Sequence, residues 1–315
     1  AVKEYYIRFM NALPTIEDLA TCEEEKLLKL WEGLGYYSRV RNLQKAAQVI
    51  MAEHDGVFPS DYDKILALPG IGDYTAGAIA SICFDQPAPA VDGNVLRVIS
   101  RITEDFQNIL APAMKKRIAE HLRGVYPAGE RAYTFNQSLM ELGATVCVPN
   151  GAPKCDICPM NPVCLAYKNS SWTILPQKEA KKKRRMEYKT VFVLNCNGQT
   201  AVQKRPAEGL LASLWQYPNV DGTLDTQDAL NKAAEWGVKP VSVQKVLPGR
   251  HIFSHVEWRM KGYLIRVPGE VLNVAEESGQ YLAVDGNELK ERCAIPNAFK
   301  FYTEKISEEL DKNRN

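Results

Sequence analysis

The chain has 315 residues, 45% apolar and 24% charged, with a formal net charge of +1 at pH 7. That length favours two domains with real cores, and the composition excludes a disordered or fibrous chain. The near-neutral balance decides nothing about nucleic acid, for which a local basic face suffices. No apolar run reaches the length of a bilayer, and the charged start AVKEYYIRFM reads as no signal peptide.

Val2, Tyr5, Tyr6 and Phe9 fall at helical spacing from the outset, with no cap signal and no initial Met. The expectation is a helix already under way, in a domain whose first residues lie upstream. Pro14 and Thr15, followed by acids, open the next helix. EEEKLLKLWEGLG forms another and stops at glycine. Further helices are predicted over 39–54, from Ser60, and over 74–83, 94–103, 112–125 and 131–146. Between two of them lies LPGIG (68–72), a turn whose Gly70 and Gly72 let a backbone approach closely. The free N–H groups at the following helix start make it either an anion site or a tight structural turn. Past it, PAPAVDGNV (87–95) holds a lone acid, Asp92. Asp92 either caps the helix beginning near Asn94 or does chemistry there, and the two are compatible.

Eight cysteines occur, and four of them, Cys147, Cys155, Cys158 and Cys164, fall within 18 residues. Clustered thiolates after a helix suggest a metal centre of structural role, either zinc or an iron–sulfur cluster; the spacing does not choose. Then NSSWTILPQKEAKKKRRMEYK reads as a basic linker over residues 169–188. From Thr190 the texture changes. TVFVLNC, a turn at Asn197-Gly198, and TAVQKRP form a hairpin signature. A helix in TQDALNKAAEWG, a strand in WRMKGYLIRV and a last helix in NAFKFYTEKISEEL follow. The reading is multidomain: an all-α first domain over 1–168 and an α+β second domain over 189–310.

These segments together resemble the helix–hairpin–helix superfamily of DNA base-excision glycosylases, and within it the MutY-type adenine glycosylases. GLGYYSRVRNL, LPGIGDYTAGAI, AVDGNVLRV, FNQSLMELGATVC, the cysteine cluster, LLASLWQYP and HIFSHVEW carry the resemblance, over nearly the whole chain. It implies a monofunctional glycosylase that excises adenine mispaired with 8-oxoguanine or guanine. The partner implied is double-stranded DNA with that mispair, bound by a monomer in a bacterial cytoplasm with no membrane. Asp92 would stabilise the positive charge that builds on the sugar, as carboxylates do in glycoside hydrolysis. Asn94 would orient it. Tyr74 stands where strand-cutting relatives carry a Schiff-base lysine, so no imine forms, and its hydroxyl would lie near Asp92.

The resemblance gives Gln137 the adenine edge of a base flipped out of the stack. Leu34 and Tyr36 would wedge into the duplex, while Gly70 and Gly72 hold phosphate. Four cysteines would hold a [4Fe–4S] cluster, although the family has six residues between the first two and this chain has seven. The second domain resembles a Nudix (MutT-like) fold, but TQDALNKAAEWG lacks the dense acidic box of a hydrolase. That domain would therefore read the oxidised base, through Phe253, Ser254 and His255. The family's general-acid Glu would precede Ala1; neither Glu4 nor Glu32 matches it. The stretch given would then bind lesion DNA and cut little or nothing. Two rivals remain: a bifunctional endonuclease III-like glycosylase/lyase, and a non-catalytic iron–sulfur DNA-binding protein.

Overall fold

The computed structural model describes residues 2–127, 129, 131–179, 183–269 and 281–312; residues 180–182 of the basic linker lie outside them. By its contacts the chain divides into two compact units, Lys45–Lys181 and Ala1–Gln44 with Lys182–Asn315.

Helices α1 (Lys3–Ala12), α2 (Ile16–Thr21), α3 (Glu24–Leu30) and α4 (Ser38–Glu53) come first. Thr15 starts α2 with a capping box: its hydroxyl accepts from the Asp18 amide, and the Asp18 carboxylate accepts from the Thr15 amide. Then follow α5 (Tyr62–Ala67), α6 (Asp73–Phe84), α7 (Gly93–Ile102), α8 (Pro112–Val125), α9 (Arg131–Glu141) and α10 (Leu165–Lys168). Pro112 at the first turn of α8 has no N–H to leave unpaired there.

The helix expected from Arg131 to Val146 changes to a π-helical turn at Leu142. At that point Gly143 lies directly on α7, where a Cβ would stand 2.6 Å from the Asn94 Cβ. Within this unit α7, α8 and α9 close over Val91, Val95, Ile109, Met114, Ile118 and Leu122, with Phe135 and Leu139 against them. Burying each such side chain contributes roughly 1.5–3 kcal/mol. A second cluster, Ile65, Ala76, Ala80 and Ala88, joins α5 to α6 and to the loop after it.

In the other unit, strands β1 (Arg185–Asn195), β2 (Gln199–Lys204), β3 (Trp215–Gln216), β4 (Asn219–Asp221), β5 (Ser242–Ile252), β6 (Val256–Arg266) and β7 (Tyr281–Asp285) build two sheets. Their orders are β4-β1-β6-β5 and β3-β2-β7. β1 begins at Arg185, inside the basic stretch. Three helices accompany the strands: α11 (Thr226–Glu235), α12 (Gly286–Glu291) and α13 (Lys300–Lys312).

The hairpin read across Asn197-Gly198 is corrected. The turn is there, with positive φ at both residues, but β1 and β2 share only the Cys196–Gln199 bridge. β1 pairs in parallel with β6 along its whole length, and β2 leaves for the second sheet. One face of β1 and β6 presents Phe192, Leu194, Tyr263 and Ile265 to Ala229, Ala233 and Trp236 of α11 and its end. The opposite face presents Val191, Val193, Met260 and Leu264 to Phe299, Tyr302 and Ile306. α13 sits close because Gly262 and Gly249 have no side chain; a Cβ would stand 2.3 and 2.5 Å from the Tyr302 ring and hydroxyl.

Helices α1 to α3 belong to this unit through a core of Leu13, Leu27, Leu28, Tyr37, Val40, Leu214 and Ala294. Polar bonds fix the join. Glu32 accepts from the Ile295 amide at 2.7 Å, and Lys29 donates to the Cys293 carbonyl at 2.9 Å. The Trp215 indole donates to Glu25, and Asn297 donates to the Gly33 carbonyl.

Candidate active site and base-reading cleft

In the Lys45–Lys181 unit, LPGIG forms the turn between α5 and α6. Gly70 has φ +78°, in the left-handed region, and Gly72 is the N-cap of α6 with no side chain to cover the first amides. The following loop ends at Asp92, the N-cap of α7. Its Oδ1 accepts from the amides of Asn94 and Val95, both at 2.8 Å, and its Oδ2 from the Asn94 side-chain amide at 3.0 Å. The carboxylate is thus fixed from one side by three donors. It is partly exposed on the other.

Asn94 is itself held. Its Oδ1 accepts from Arg97 at 2.8 Å, and Arg97 also donates to the carbonyls of Gly143 at 2.7 Å and Cys147 at 2.8 Å. Burial lowers the Arg97 pKa from its usual value, while Cys147 and Asp92 oppose the shift and Arg101 adds to it. Two further groups hold the loop before Asp92. Buried Asn136 accepts from the Ala90 amide and donates to the Ser81 hydroxyl at 2.7 Å. At Gly77 a Cβ would stand 2.3 Å from the Pro89 carbonyl oxygen, so α6 and the loop backbone touch.

Tyr74 lies in the first turn of α6, and its hydroxyl reaches the Met140 sulfur at 3.9 Å. Among the described residues no hydrogen bond joins Tyr74 to Asp92. Gln137 sits half-buried on α9, one residue after Asn136. Sequence reasoning missed Gly77, Arg97, Asn136 and Gly143. Their signal lay in the small-residue run TAGAIA and in the neighbours of residues already singled out, and only the packing gives it meaning.

Cys147, Cys155, Cys158 and Cys164 line one pocket, walled by Val98, Ile102, Leu142, Met160 and Trp172. Burial raises the Cys155 pKa, and the neighbouring Cys147, Cys158 and Cys164 thiols raise it further. Arg101 binds this loop, donating to the Cys147 sulfur at 3.3 Å and to the carbonyls of Val148 and Leu175. Among the described residues, no three His, Cys, Asp or Glu converge closely enough to hold a single ion. The four thiols ring a space instead of meeting at a point.

In the other unit the structure brings together segments far apart in the chain. Leu34, Tyr36, Phe253, Ser254 and His255 line one cleft of about 390 Å³, with His251 and Asn297. Tyr36 is 64% exposed at the rim, with φ +47°, and the Arg39 guanidinium lies 4.6 Å over its ring. Phe253 turns inward, edge-to-face with His251 at 4.6 Å and Trp258 at 4.9 Å. Ser254 and His255 form the exposed tip of the tight β5–β6 turn, closed by the Phe253 amide on the Val256 carbonyl. Burial lowers the pKa of His251, which sequence reasoning passed over.

Residues 1–124 match the family described as HhH-GPD superfamily base excision DNA repair protein, and residues 190–305 match the NUDIX domain. The class is therefore a helix–hairpin–helix base-excision repair protein joined to a Nudix fold. Among solved structures the chain is similar to a thermostable thymine-DNA glycosylase, 30% identical over 53% of this chain and 76% of that one, with TM-score 0.47. It is similar to the adenine DNA glycosylase of Rattus norvegicus, at 33% identity over 324 residues, covering 85% of this chain but only 61% of the rat protein's length. The adenine DNA glycosylase of Buchnera aphidicola subsp. Baizongia pistaciae is 33% identical over 254 residues, covering 80% of this chain and 70% of that protein. The chain belongs to the adenine DNA glycosylase family.

Proposed function

We propose that this protein excises adenine paired with 8-oxoguanine, or with guanine, from double-stranded DNA by hydrolysing the N-glycosidic bond. The observation that carries the reading is Asp92, a carboxylate held by three N–H donors on one side and open on the other. Departure of a base leaves positive charge on the sugar. A carboxylate fixed in advance stabilises that charge without having to reorganise. Asn94 and Arg97 act as positioning residues behind it.

Tyr74 carries no amine, so the sugar is released by water and not through an imine. Gln137 presents an amide to the adenine edge. The uncovered amides at Gly72, with the turn at Gly70, take a backbone phosphate. In the other unit Leu34 and Tyr36 enter the duplex beside the oxidised guanine, and Phe253, Ser254 and His255 read that base. α11 carries only Asp228 and Glu235 as acids, which supports a Nudix-like domain that recognises and does not hydrolyse.

Cys147, Cys155, Cys158 and Cys164 would hold a [4Fe–4S] cluster, whose contribution when bound is to tie the 147–164 loop. Four soft thiolates lining one pocket support that reading. The protein would act as a monomer on chromosomal DNA.

The test is Asp92→Asn, assayed beside the unaltered protein. Asparagine keeps an oxygen for the Asn94 and Val95 amides, so the backbone cap persists, while the charge and the acceptor for the Asn94 side-chain amide are lost. Binding to duplex with 8-oxoguanine opposite adenine should be retained while adenine release falls by orders of magnitude. Unchanged release would end the role given to Asp92. Lesion binding by the unaltered protein with no release at all would make it a binding protein. An imine trapped by borohydride would make it a lyase.

A further inference from the structure

α11 covers only one end of its face of the four-stranded sheet. Beyond Thr190 and Lys261 the same face continues uncovered among the described residues. Met186 and Tyr188 of β1, Arg259 of β6, and Arg250 and Ile252 of β5 stand there in solvent. The register puts Tyr188 opposite Arg259, and Arg259 opposite Arg250. Two like charges directly across a ladder oppose folding. Glu257, 8% exposed, offsets only one of them. It accepts the Nε–H of Arg250 at 2.9 Å and of Arg259 at 3.2 Å, and a second bond from Arg250 at 3.1 Å. The remaining guanidinium N–H groups have no partner among the described residues. Lys261 adds a third cation; its ammonium donates to the Leu224 carbonyl at 3.1 Å. These side chains, with Tyr188 and Thr223, border an open depression of about 450 Å³.

We propose that this uncovered end of the sheet is a second DNA contact, in which Arg250 and Arg259 take backbone phosphates. The inference rests on the reading of the Phe253–His255 turn as a DNA contact. Three features favour a phosphodiester backbone as occupant. The charge is unbalanced toward positive, the two guanidiniums are anchored on Glu257 while both arginines stay exposed with N–H groups to spare, and β5 and β6 run from this patch straight into that turn. An arginine pair anchored through one buried carboxylate also sacrifices little side-chain freedom on binding.

The experiment compares the unaltered chain with Arg250→Gln/Arg259→Gln, binding a duplex with 8-oxoguanine opposite adenine and the same duplex undamaged. Affinity is followed from about 50 to 200 mM salt, the range over which phosphate contacts show. Each lost contact removes about 0.9 from the log–log slope, so the double variant should be shallower by about 1.8. Both duplexes should lose equally, leaving their ratio unchanged, because backbone contacts carry no sequence information. Arg250→Lys/Arg259→Lys breaks the fork geometry but keeps the charges, and should retain most of the slope. Arg292→Gln, at the C-terminal end of α12 and outside the sheet's register, should lose none. A slope unchanged in the glutamine variant overturns the proposal while leaving the reading of the turn intact. A nucleoside triphosphate whose binding these substitutions abolish, or a dimer they dissolve, would give the face another occupant and overturn it too. An unaltered chain that does not favour the lesion duplex removes the reading on which the patch rests.

Discussion

Replacing Gly77 by alanine sets two effects of opposite sign against each other. In the interior of α6 alanine is intrinsically better than glycine by about 1 kcal/mol. The new Cβ, however, would stand 2.3 Å from the Pro89 oxygen, where ordinary contact begins near 3.4 Å. The helix and the loop must part by about 1 Å, the difference of those two distances. That loop cannot swing freely, because Ala88, Ala90 and Val91 are buried and Asn136 holds the Ala90 amide. Overpacking of this kind costs roughly 1–3 kcal/mol, so the net effect is a destabilisation of about 0–2 kcal/mol. The displacement also runs into Asp92, two residues past Ala90. Misplacing a catalytic group by about 1 Å lowers turnover on the order of 100-fold, or about 2.7 kcal/mol of barrier.

Gly124→Ala is the internal control. It lies near the end of α8, and its Cβ would meet nothing within 4 Å, so alanine should be neutral or slightly stabilising. Denaturant midpoints and adenine release measured on both variants decide the matter. If Gly77→Ala matched Gly124→Ala in stability and kept full release, the claim that this contact positions Asp92 would be wrong.

Arg97→Gln leaves the carbonyls of Gly143 and Cys147 without their donor; each buried unsatisfied group costs about 1–3 kcal/mol, and calorimetry should show that loss together with slower adenine release. Gly262→Ala would press on Tyr302 and should cost roughly 1–3 kcal/mol in chemical denaturation; no loss would mean that α13 is not seated by that contact. Cys158→Ser should lower bound iron and acid-labile sulfide per chain, and retention of both would exclude it as a ligand. His251, held below its ordinary 6.5 by burial, stays neutral in the folded protein while the unfolded chain takes up a proton. Its contribution is therefore level above about pH 6.5, destabilises as pH falls below that, and levels off once the folded form also protonates. Urea midpoints of the protein and of His251→Gln, compared between about pH 5 and 8, should diverge only at the acidic end.

The helices were legible because their caps and apolar spacing are local. Pro112 and Thr15 announced α8 and α2 from single residues. β5 was not legible. Pro248 and Gly249 punctuate it, and only its place at the sheet edge lets Pro248 lack a donor. Gly249 in turn answers to Tyr302, more than fifty residues away. The Asn197-Gly198 turn was read correctly but not its consequence, since the parallel pairing of β1 with β6 is a distant choice. At the site, Asp92 was visible as a cap and by motif. Arg97, Asn136 and the two tight glycines were not, because each takes its role from a contact 46 or more residues off, except for Arg97 with its neighbour Asn94, or from an approach of backbones.

The cleft lined by Leu34, Tyr36 and Phe253–His255 has a consequence for the order of events during synthesis. Residues 45–181 form a contiguous stretch that can close its own cores, and so hold Asp92 in place, once that stretch has left the ribosome. The cleft is different. Its first wall is made by residues 34–38 and its last by residues 296–298, and the intervening chain must be finished before they meet. Until Ile295 arrives, Glu32 lacks the amide it accepts from, and the face of α3 that carries Leu27 and Leu28 lacks Ala294. A nascent chain stalled after residue 181 but before that point carries the carboxylate without the assembled cleft.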